Sequence, residues 1–362
     1  MKITRVEAVP LSIPFTYGGA RRLAGAYWRA LDFCLVRVET DTGAVGWGDA
    51  FSYSCRRTVA SAVNDMVAPL AVGHDAADIA GLHAKLQRDL HLFGRYGITV
   101  FAISALDIAL WDIAGKVAGK PLHALLGSAK RTSVPCYASL LRYGEPKLVA
   151  EYCTRALGEG FGSIKLHEIT DEAIGAARGV VPREVPLTVD VNCEWSPADA
   201  IAAAKRFRAF GLEWLEEPVF PPEDYRALRA VGEASGVAIA AGENYCFATQ
   251  FEQALDARAL AFVQPSVTKI GGVTEFRKVT ALADGRGVRV APHSPYFGPG
   301  ALATLHLLAA RDDARFEYFY LWPEGKLYGA ALDPVGGALK LPDGPGLGFD
   351  PDPEVVRRFR AD

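Results

Sequence analysis

Val189-Asp190-Val191-Asn192, Leu215-Glu216-Glu217-Pro218 and Ala241-Gly242-Glu243-Asn244 are the three short runs on which the reading of this chain turns. Glu216 follows Asp190 by 26 residues, and Glu243 follows Glu216 by 27. Each acid closes a brief apolar, β-rich segment: Leu187 to Val189, Leu212 to Leu215, and Val237 to Ala240. One strand, its covering helix and two loops take about 30 residues when eight such units make a barrel of about 250. The spacing therefore predicts three acids at the C-terminal ends of consecutive parallel strands, converging on one mouth. Like charges there repel unless something positive lies between them. Carboxylate oxygens converging on a point suit a hard cation, Mg²⁺ first. A single acid at a strand end is more often solvated or caps the next helix; three at near-equal period point to a site.

The same alternation extends outward. Eight strand candidates separated by helical segments run through Val134–Leu140, Ser163–His167, Leu187–Asn192, Leu212–Glu217, Val237–Glu243, Ala261–Ser266, Val288–His293 and Phe316–Phe319. Before them, residues 1 to about 50 read as antiparallel strands, with apolar positions at period two in Ile3–Ile13 and Phe33–Val38 and a turn at Asp41-Thr42-Gly43. From Val59 to Gly127 the period turns helical. Val63, Met66, Val67 and Leu70 fall on one face, and the clearest helix is Thr99–Ala118, with Asp107 and Asp112 inside it. Leu321–Asp362 is rich in glycine and proline and is expected to run back over the first domain. The domain reading is 1–127, an α+β cap; 128–320, the barrel; and 321–362, the returning tail.

Composition narrows the classes of function. The 362 residues are 50% hydrophobic and 22% charged with a net charge of −3, enough for a large core and without the basic face a nucleic-acid partner needs. Glu7 and Pro10 interrupt the start before a signal-like run forms, and no run is expected to reach the 18 apolar residues of a membrane span. Cys34, Cys55, Cys136, Cys153, Cys193 and Cys246 have no paired spacing and read as reduced thiols of a cytoplasmic protein.

Active sites of such barrels stand at the C-terminal strand ends. Those ends carry Ser139; Lys165 and His167; Asp190 and Asn192; Glu216 and Glu217; Glu243 and Asn244; Ser266 and Lys269; His293; and Glu317. Lys165 and His167, at period two, face inward together, because Ile164 and Leu166 face the helices. A lysine beside a histidine and a dication is expected to bind its proton less tightly, which suits a base at neutral pH. His293, across the barrel, is a second acid/base candidate. Glycine-rich Gly18–Arg22 and the segment Phe51–Arg57 bring Arg21, Arg22, Tyr53, Arg56 and Arg57 as candidates for substrate contact.

Ala105-Leu106-Asp107-Ile108-Ala109-Leu110-Trp111-Asp112, Gly115-Lys116, Pro121–Gly127, the acids Asp190, Glu216 and Glu243, Lys269-Ile270-Gly271-Gly272-Val273-Thr274, and His293 together resemble the enolase superfamily, closest to its mandelate racemase subgroup. The resemblance covers essentially the whole chain. It implies a modified TIM barrel, (β/α)7β, with an N-terminal α+β capping domain completed by the C-terminal tail, and Mg²⁺ on Asp190, Glu216 and Glu243. It implies removal of the α-proton of a hydroxy-carboxylate through an enediolate, with a Lys or His base. It implies Glu317 and Ser139 at the substrate carboxylate; Tyr53 and Arg22, in the cap loops, are read as further substrate contacts. Asn192, Asn244, Glu217, Ser266 and Lys269 would support the metal ligands and His293. It also implies a homo-oligomer, from dimer to octamer, with a small carboxylate substrate.

Two departures stand out. His167 occupies the place of the subgroup's usual second lysine, and Ser266 that of the sixth-strand aspartate which supports the seventh-strand histidine. Without that anion His293 has less support for its charged form. Within the resemblance the expected activity is an acid-sugar dehydratase forming a 2-keto-3-deoxy acid. The near alternatives are a racemase, an epimerase or a sugar-acid lactone cycloisomerase. From other classes come a non-catalytic paralogue that binds an acid metabolite, and a barrel hydrolase, which leaves Lys165 and His167 without a reason to sit together.

Overall fold

The structure is a computed structural model that describes residues 1–18, 22–23, 26–127, 129–294 and 296–361, and at 22, 23, 26 and 27 the backbone alone. Strand β1 (Ile3–Thr16) pairs antiparallel with β4 (Ala30–Thr40), and β4 with β5 (Val45–Ala50); between them β2 (Arg22–Leu23) and β3 (Ala26–Tyr27) form a small hairpin. The expected strands at Ile3–Ile13 and Phe33–Val38 are thus present and longer than the periodicity indicated. Helix α1 (Arg56–Ser61), a π-turn segment over 62–67 and α2 (Ala68–Ala71) carry the Val63/Met66/Val67/Leu70 stripe. Helices α3 (Ile79–Asp89), α4 (Ile98–Ala118) and α5 (Leu122–Leu126) complete the N-terminal part.

Helix α4 corrects one expectation. Its 21 residues are long and apolar enough, by length and composition, to cross a membrane. Most of them are buried here, because α4 lies between the antiparallel sheet and the barrel and is covered on nearly every side. Gly46 and Gly48 make its close approach possible: a Cβ at Gly48 would come 2.0 Å from the Ala105 carbonyl oxygen, and one at Gly46 2.2 Å from that of Ala109. Each polar residue inside α4 is paired. Asp107 accepts from the Thr274 amide and hydroxyl, at 3.0 and 2.5 Å. Asp112 accepts from the Trp47 amide at 2.9 Å, the Leu347 amide at 2.8 Å and the Lys116 ammonium at 2.7 Å.

The second sheet is parallel. In chain order its strands are β6 (Ser133–Ser139), β7 (Ile164–Leu166), β8 (Leu187–Asp190), β9 (Leu215–Glu216), β10 (Ile239–Ala241), β11 (Phe262–Val263), β12 (Arg289–Val290) and β13 (Phe316–Phe319). In space the order is β12-β11-β10-β9-β8-β7-β6-β13. Helices α6 (Pro146–Gly158), α7 (Asp171–Val180), α8 (Pro197–Phe207), α9 (Tyr225–Ser235), α10 (Phe247–Asp256), α11 (Gly272–Gly285) and α12 (Pro299–Leu308) fall one in each interval. Seven strand–helix units followed by a final strand make the modified TIM barrel. All eight expected strands are present, several shortened to the two or three residues that form ladder bonds before the chain turns out. After β13, β14 (Trp322–Pro323) joins β1, and β15 (Ala338–Lys340) pairs antiparallel with β6. Helix α13 (Pro353–Phe359) follows, and the Ala361 amide donates to the Pro10 carbonyl at 3.0 Å. The tail therefore returns to the antiparallel sheet, as its composition suggested.

Asp112 ties β5, α4 and the tail together through one buried carboxylate. Asp112→Ala leaves the buried Leu347 amide and the half-buried Trp47 amide without their acceptor, while Lys116 keeps Asp350 and the Val45 carbonyl, and is expected to cost about 1–3 kcal/mol. The midpoint of urea unfolding, compared with wild type at equal slope, measures it.

Candidate active site

The strand ends bring the expected side chains together. Lys165, wholly buried at the middle of β7, points into the barrel. Its ammonium stands 2.6 Å from Glu216 Oε1, 3.0 Å from Asp190 Oδ2 and 3.1 Å from Glu317 Oε1. The period-two reading of Lys165 and His167 holds: His167 Nε2 lies 3.4 Å from the same Asp190 oxygen. Burial works against the Lys165 ammonium, but three carboxylates outweigh it and raise its pKa. Burial likewise disfavours every carboxylate charge in the cluster. It prevails at Glu216, where Asp190 adds to it and raises the pKa. At Asp190 the Lys165 ammonium, with His167 beside it, wins and holds the pKa below the usual range. At Glu317 Lys165 and His293 do the same, to about 2.

One oxygen from each of Asp190, Glu216 and Glu243 lies within 4.8 Å of the others. Octahedral coordination at about 2.0–2.1 Å sets neighbouring oxygens roughly 3 Å apart and opposed ones roughly 4 Å apart. The trio therefore needs only a small contraction to hold Mg²⁺, and its three hard, anionic donors suit that ion. Trp214, two residues before Glu216 on the same strand face, donates its indole N–H to Glu216 Oε2 at 3.1 Å. The Asn192 amide donates to Asp190 Oδ1 at 2.8 Å, so the orienting group at that position is backbone; the side chain is exposed. Asn244 donates to Glu217 Oε2 at 2.8 Å and to Glu243 Oε1 at 3.4 Å, and accepts from Lys269 at 3.0 Å. Lys269 Nζ is 3.5 Å from Glu243 Oε1. Left-handed backbone at Asn192, Cys193 and Glu217 ends β8 and β9 sharply and sets Glu217 against Cys193 Sγ, at 3.3 Å. Burial pushes Glu217 up to about 8.

The two histidines differ in how they are held. His167 Nδ1 lies 2.5 Å from the Leu140 carbonyl. A carbonyl can only accept, so Nδ1 carries the hydrogen and the neutral ring turns its Nε2 lone pair inward. Arg142, whose Nε donates to the His167 carbonyl at 2.5 Å, and Glu168, which accepts from the Tyr143 and Gly144 amides, brace the loop beyond β6. His293 Nδ1 lies 3.1 Å from Ser266 Oγ, so the sixth-strand serine does take the partner position, without a charge. Its Nε2 is 3.3 Å from both Tyr296 Oη and Glu243 Oε2. Burial lowers the His293 pKa, and Glu243 and Glu317 offset part of that. Ser139 donates to Glu317 Oε1 at 2.8 Å, and the Ser294 amide to Oε2 at 2.9 Å.

The cap candidates divide. Tyr53 packs its ring 4.9 Å from that of Tyr296, beside the site. Arg56 pairs with Asp32 and with the Ala361 carbonyl, so the tail holds it. Arg57 is exposed and lines a shallow groove with Glu7 and Arg360. Arg21 and the Arg22 side chain lie outside the described residues. Sequence reasoning missed Tyr296, Trp214, Arg142 and Glu168. Trp214 was open to the period-two argument used for Lys165; Tyr296 sits in an irregular loop with no periodicity to betray it.

Ser266→Asp would place an anion at His293 Nδ1 and favour the imidazolium. The His293 titration, followed by ¹⁵N NMR, is expected to move upward by about one unit or more.

Comparison with known proteins agrees with this geometry. Residues 22–127 match the mandelate racemase / muconate lactonizing enzyme N-terminal domain, and residues 148–355 the enolase C-terminal domain-like family. D-galactarolactone cycloisomerase of Agrobacterium fabrum is 31% identical over 90% of this chain and 90% of its own. Arabinonate dehydratase of Saccharolobus solfataricus is 30% identical over 94% of each. 3,6-Anhydro-alpha-L-galactonate cycloisomerase of Streptomyces coelicolor is 34% identical over 91% of this chain and 92% of its own. Among solved structures, a member of the enolase superfamily from Polaromonas sp. JS666 superposes with a TM-score of 0.89 at 32% identity, covering 100% of this chain and 98% of that one. A racemase from Streptomyces coelicolor A3(2) with bound magnesium gives 0.89 at 30%, covering 99% and 100%.

Proposed function

This chain belongs to the mandelate racemase/muconate lactonizing enzyme family of the enolase superfamily, and we propose that it removes the α-proton of a sugar-derived hydroxy-carboxylate, most simply as an acid-sugar dehydratase. The observation that carries the reading is the cluster at the barrel mouth: three acids able to share one cation, a lysine between them, and a histidine at each end of the trio. His167 stands against Asp190, and His293 against Glu243.

Asp190, Glu216 and Glu243 would hold Mg²⁺. Bound there, the ion would stabilise the second negative charge that builds on the substrate carboxylate as its α-proton leaves. Lys165 adds a fixed positive charge on the same side. His167 serves as the base: its Nδ1 proton is committed to Leu140, so Nε2 is free to accept. His293, whose serine partner can donate or accept, returns a proton, either to a departing β-hydroxyl or to the opposite face of the carbon. Ser139 and the Ser294 amide hold Glu317 in place to bond the substrate carboxylate. Deep burial and the aromatic contacts around Tyr53 and Tyr296 keep water from the reacting carbon.

The second reading, a lactone cycloisomerase, is supported by relatives of that activity and differs only in where His293 delivers its proton. A non-catalytic paralogue is weakened by the finding that Ser266 fills the partner position. A soluble cytoplasmic setting and a homo-oligomeric assembly accompany the proposal.

Incubation with Mg²⁺ and pools of mono- and di-acid sugars, their lactones and small 2-hydroxy acids in D₂O tests it by proton NMR: an α-proton signal is expected to disappear. A new keto-acid signal identifies dehydration, and an isomeric product the second reading. Glu216→Gln is expected to abolish both Mg²⁺ binding by calorimetry and exchange; full retention sinks the cation assignment. His167→Asn is expected to remove most turnover. Loss in His293→Asn alone would move the base to the seventh strand.

A further inference from the structure

Asp49, the next-to-last residue of β5, is an acid that the proposed chemistry does not use. It is 3% exposed. Burial pushes its carboxyl up to about 7, and the only contact that opposes this is a backbone amide. A buried carboxylate without a cation is costly and calls for a structural or functional reason. Its surroundings supply one. Oδ1 accepts the amide hydrogen of Gly300, in the first turn of α12. Helix α12 has no side-chain cap of its own: Gly298 stands at the N-cap, with Pro299 after it. Asp49 therefore caps this helix from a strand 251 residues away in sequence, placing negative charge where the first amides are unpaired.

The fit is tight on the other oxygen too. A Cβ at Gly298 would come 2.2 Å from Asp49 Oδ2, so glycine is required at that position by the acid and not by its own backbone, which is extended. The segment between β12 and α12 carries His293, and it is short. Ser294 is fixed to Glu317, the Tyr296 amide to Ser294 Oγ at 2.9 Å, and Tyr296 Oη to His293 Nε2. Tyr53, just beyond β5, touches the Tyr296 ring. The antiparallel sheet thus grips this loop twice, at Tyr296 and at the helix start.

We propose that Asp49 is a positioning residue for His293: by capping α12 from β5 it sets where the chain enters Gly298 from the barrel, and with it the imidazole beside Glu243. The inference rests on the reading of His293 as a proton-transfer group, but its geometric half can be tested without it.

The test uses the full-length, Mg²⁺-loaded protein. Side-chain NMR signals of His293 and His167 are assigned by their loss in His293→Asn and His167→Asn. In Asp49→Ala the His293 signals are expected to shift or broaden while those of His167 stay in place, and Mg²⁺ affinity is expected to remain within about threefold. With the acid found in the exchange screen, kcat is expected to fall on the order of ten- to a hundredfold with KM changed less than about threefold, the size expected for a displaced reacting group. Asp49→Asn keeps an acceptor for Gly300 and is expected to recover most of that kcat. Gly298→Ala approaches the same contact from the other side and is expected to move the same His293 signals, which covers the case in which Asp49→Ala does not fold. Unmoved His293 signals in both variants, or equal shifts at His167, overturn the proposal. A fully active His293→Asn enzyme would instead remove the catalytic reading of His293 and leave the NMR result to decide the positioning role.

Discussion

Four carboxylates cannot share a buried barrel mouth unless positive charge is built in among them, and Lys165 meets that requirement. Two unit charges about 4 Å apart interact by roughly 4 kcal/mol at the effective dielectric of a protein edge. The Lys165 ammonium lies within 3.1 Å of three acids at once, so it is the element that lets Asp190, Glu216 and Glu317 stand together. The outcome is uneven, with Asp190 and Glu317 held ionised and Glu216 pushed toward its protonated form. A cluster in that state is poised to take up a further cation, because such binding removes the remaining repulsion.

That arrangement depends on rigid supports. Each inward side chain rises from a short strand whose neighbours fix it in register: Ser139 beside Lys165, and Asp190 beside Glu216. The N-terminal part reaches the same strand ends by separate contacts, through Asp49 of β5, through Tyr53 just beyond it, and through Asp107 of α4 on Thr274 in the first turn of α11. The tail, locked to β1 and to Asp112, holds the sheet in turn. Binding energy at the mouth can therefore act on a frame joined at many points, which is the condition for holding reacting groups closely.

Much of this was legible in the residues, and the reasons are physical. A parallel barrel repeats one unit, so acids at its strand ends recur at nearly the unit length, and Asp190, Glu216 and Glu243 could be read as a set. Period two placed Lys165 and His167 on one side. Strand bounds were less legible: of Leu212–Glu217 only Leu215–Glu216 is regular strand, because apolar residues also line the approach to a strand. Helix α4 was read as a helix, but its apolar length was underestimated: burial between two layers demands the same apolar surface as a lipid environment. Contacts between distant segments left no local trace. The pairing of Asp49 with Gly300 joins residues 251 apart, and no periodicity reports it.

The departures from the family's usual residues become coherent once both histidines are considered together. Acid and base roles separate when two titratable groups occupy environments that push them apart. His167 is held by a carbonyl, which fixes its proton on Nδ1 and faces Nε2 toward the acids. His293 is held by a hydroxyl, which tolerates either tautomer, and burial keeps it from carrying a permanent charge. An aspartate at position 266 would have fixed a proton on Nδ1 and made His293 a stronger base competing with His167. Serine leaves it free to give its Nε2 proton away and to be refilled. On the proposed roles, the exchange of an anion for a hydroxyl on the sixth strand and of lysine for histidine on the second would act as one change, placing the base at one end of the acid trio and the acid at the other.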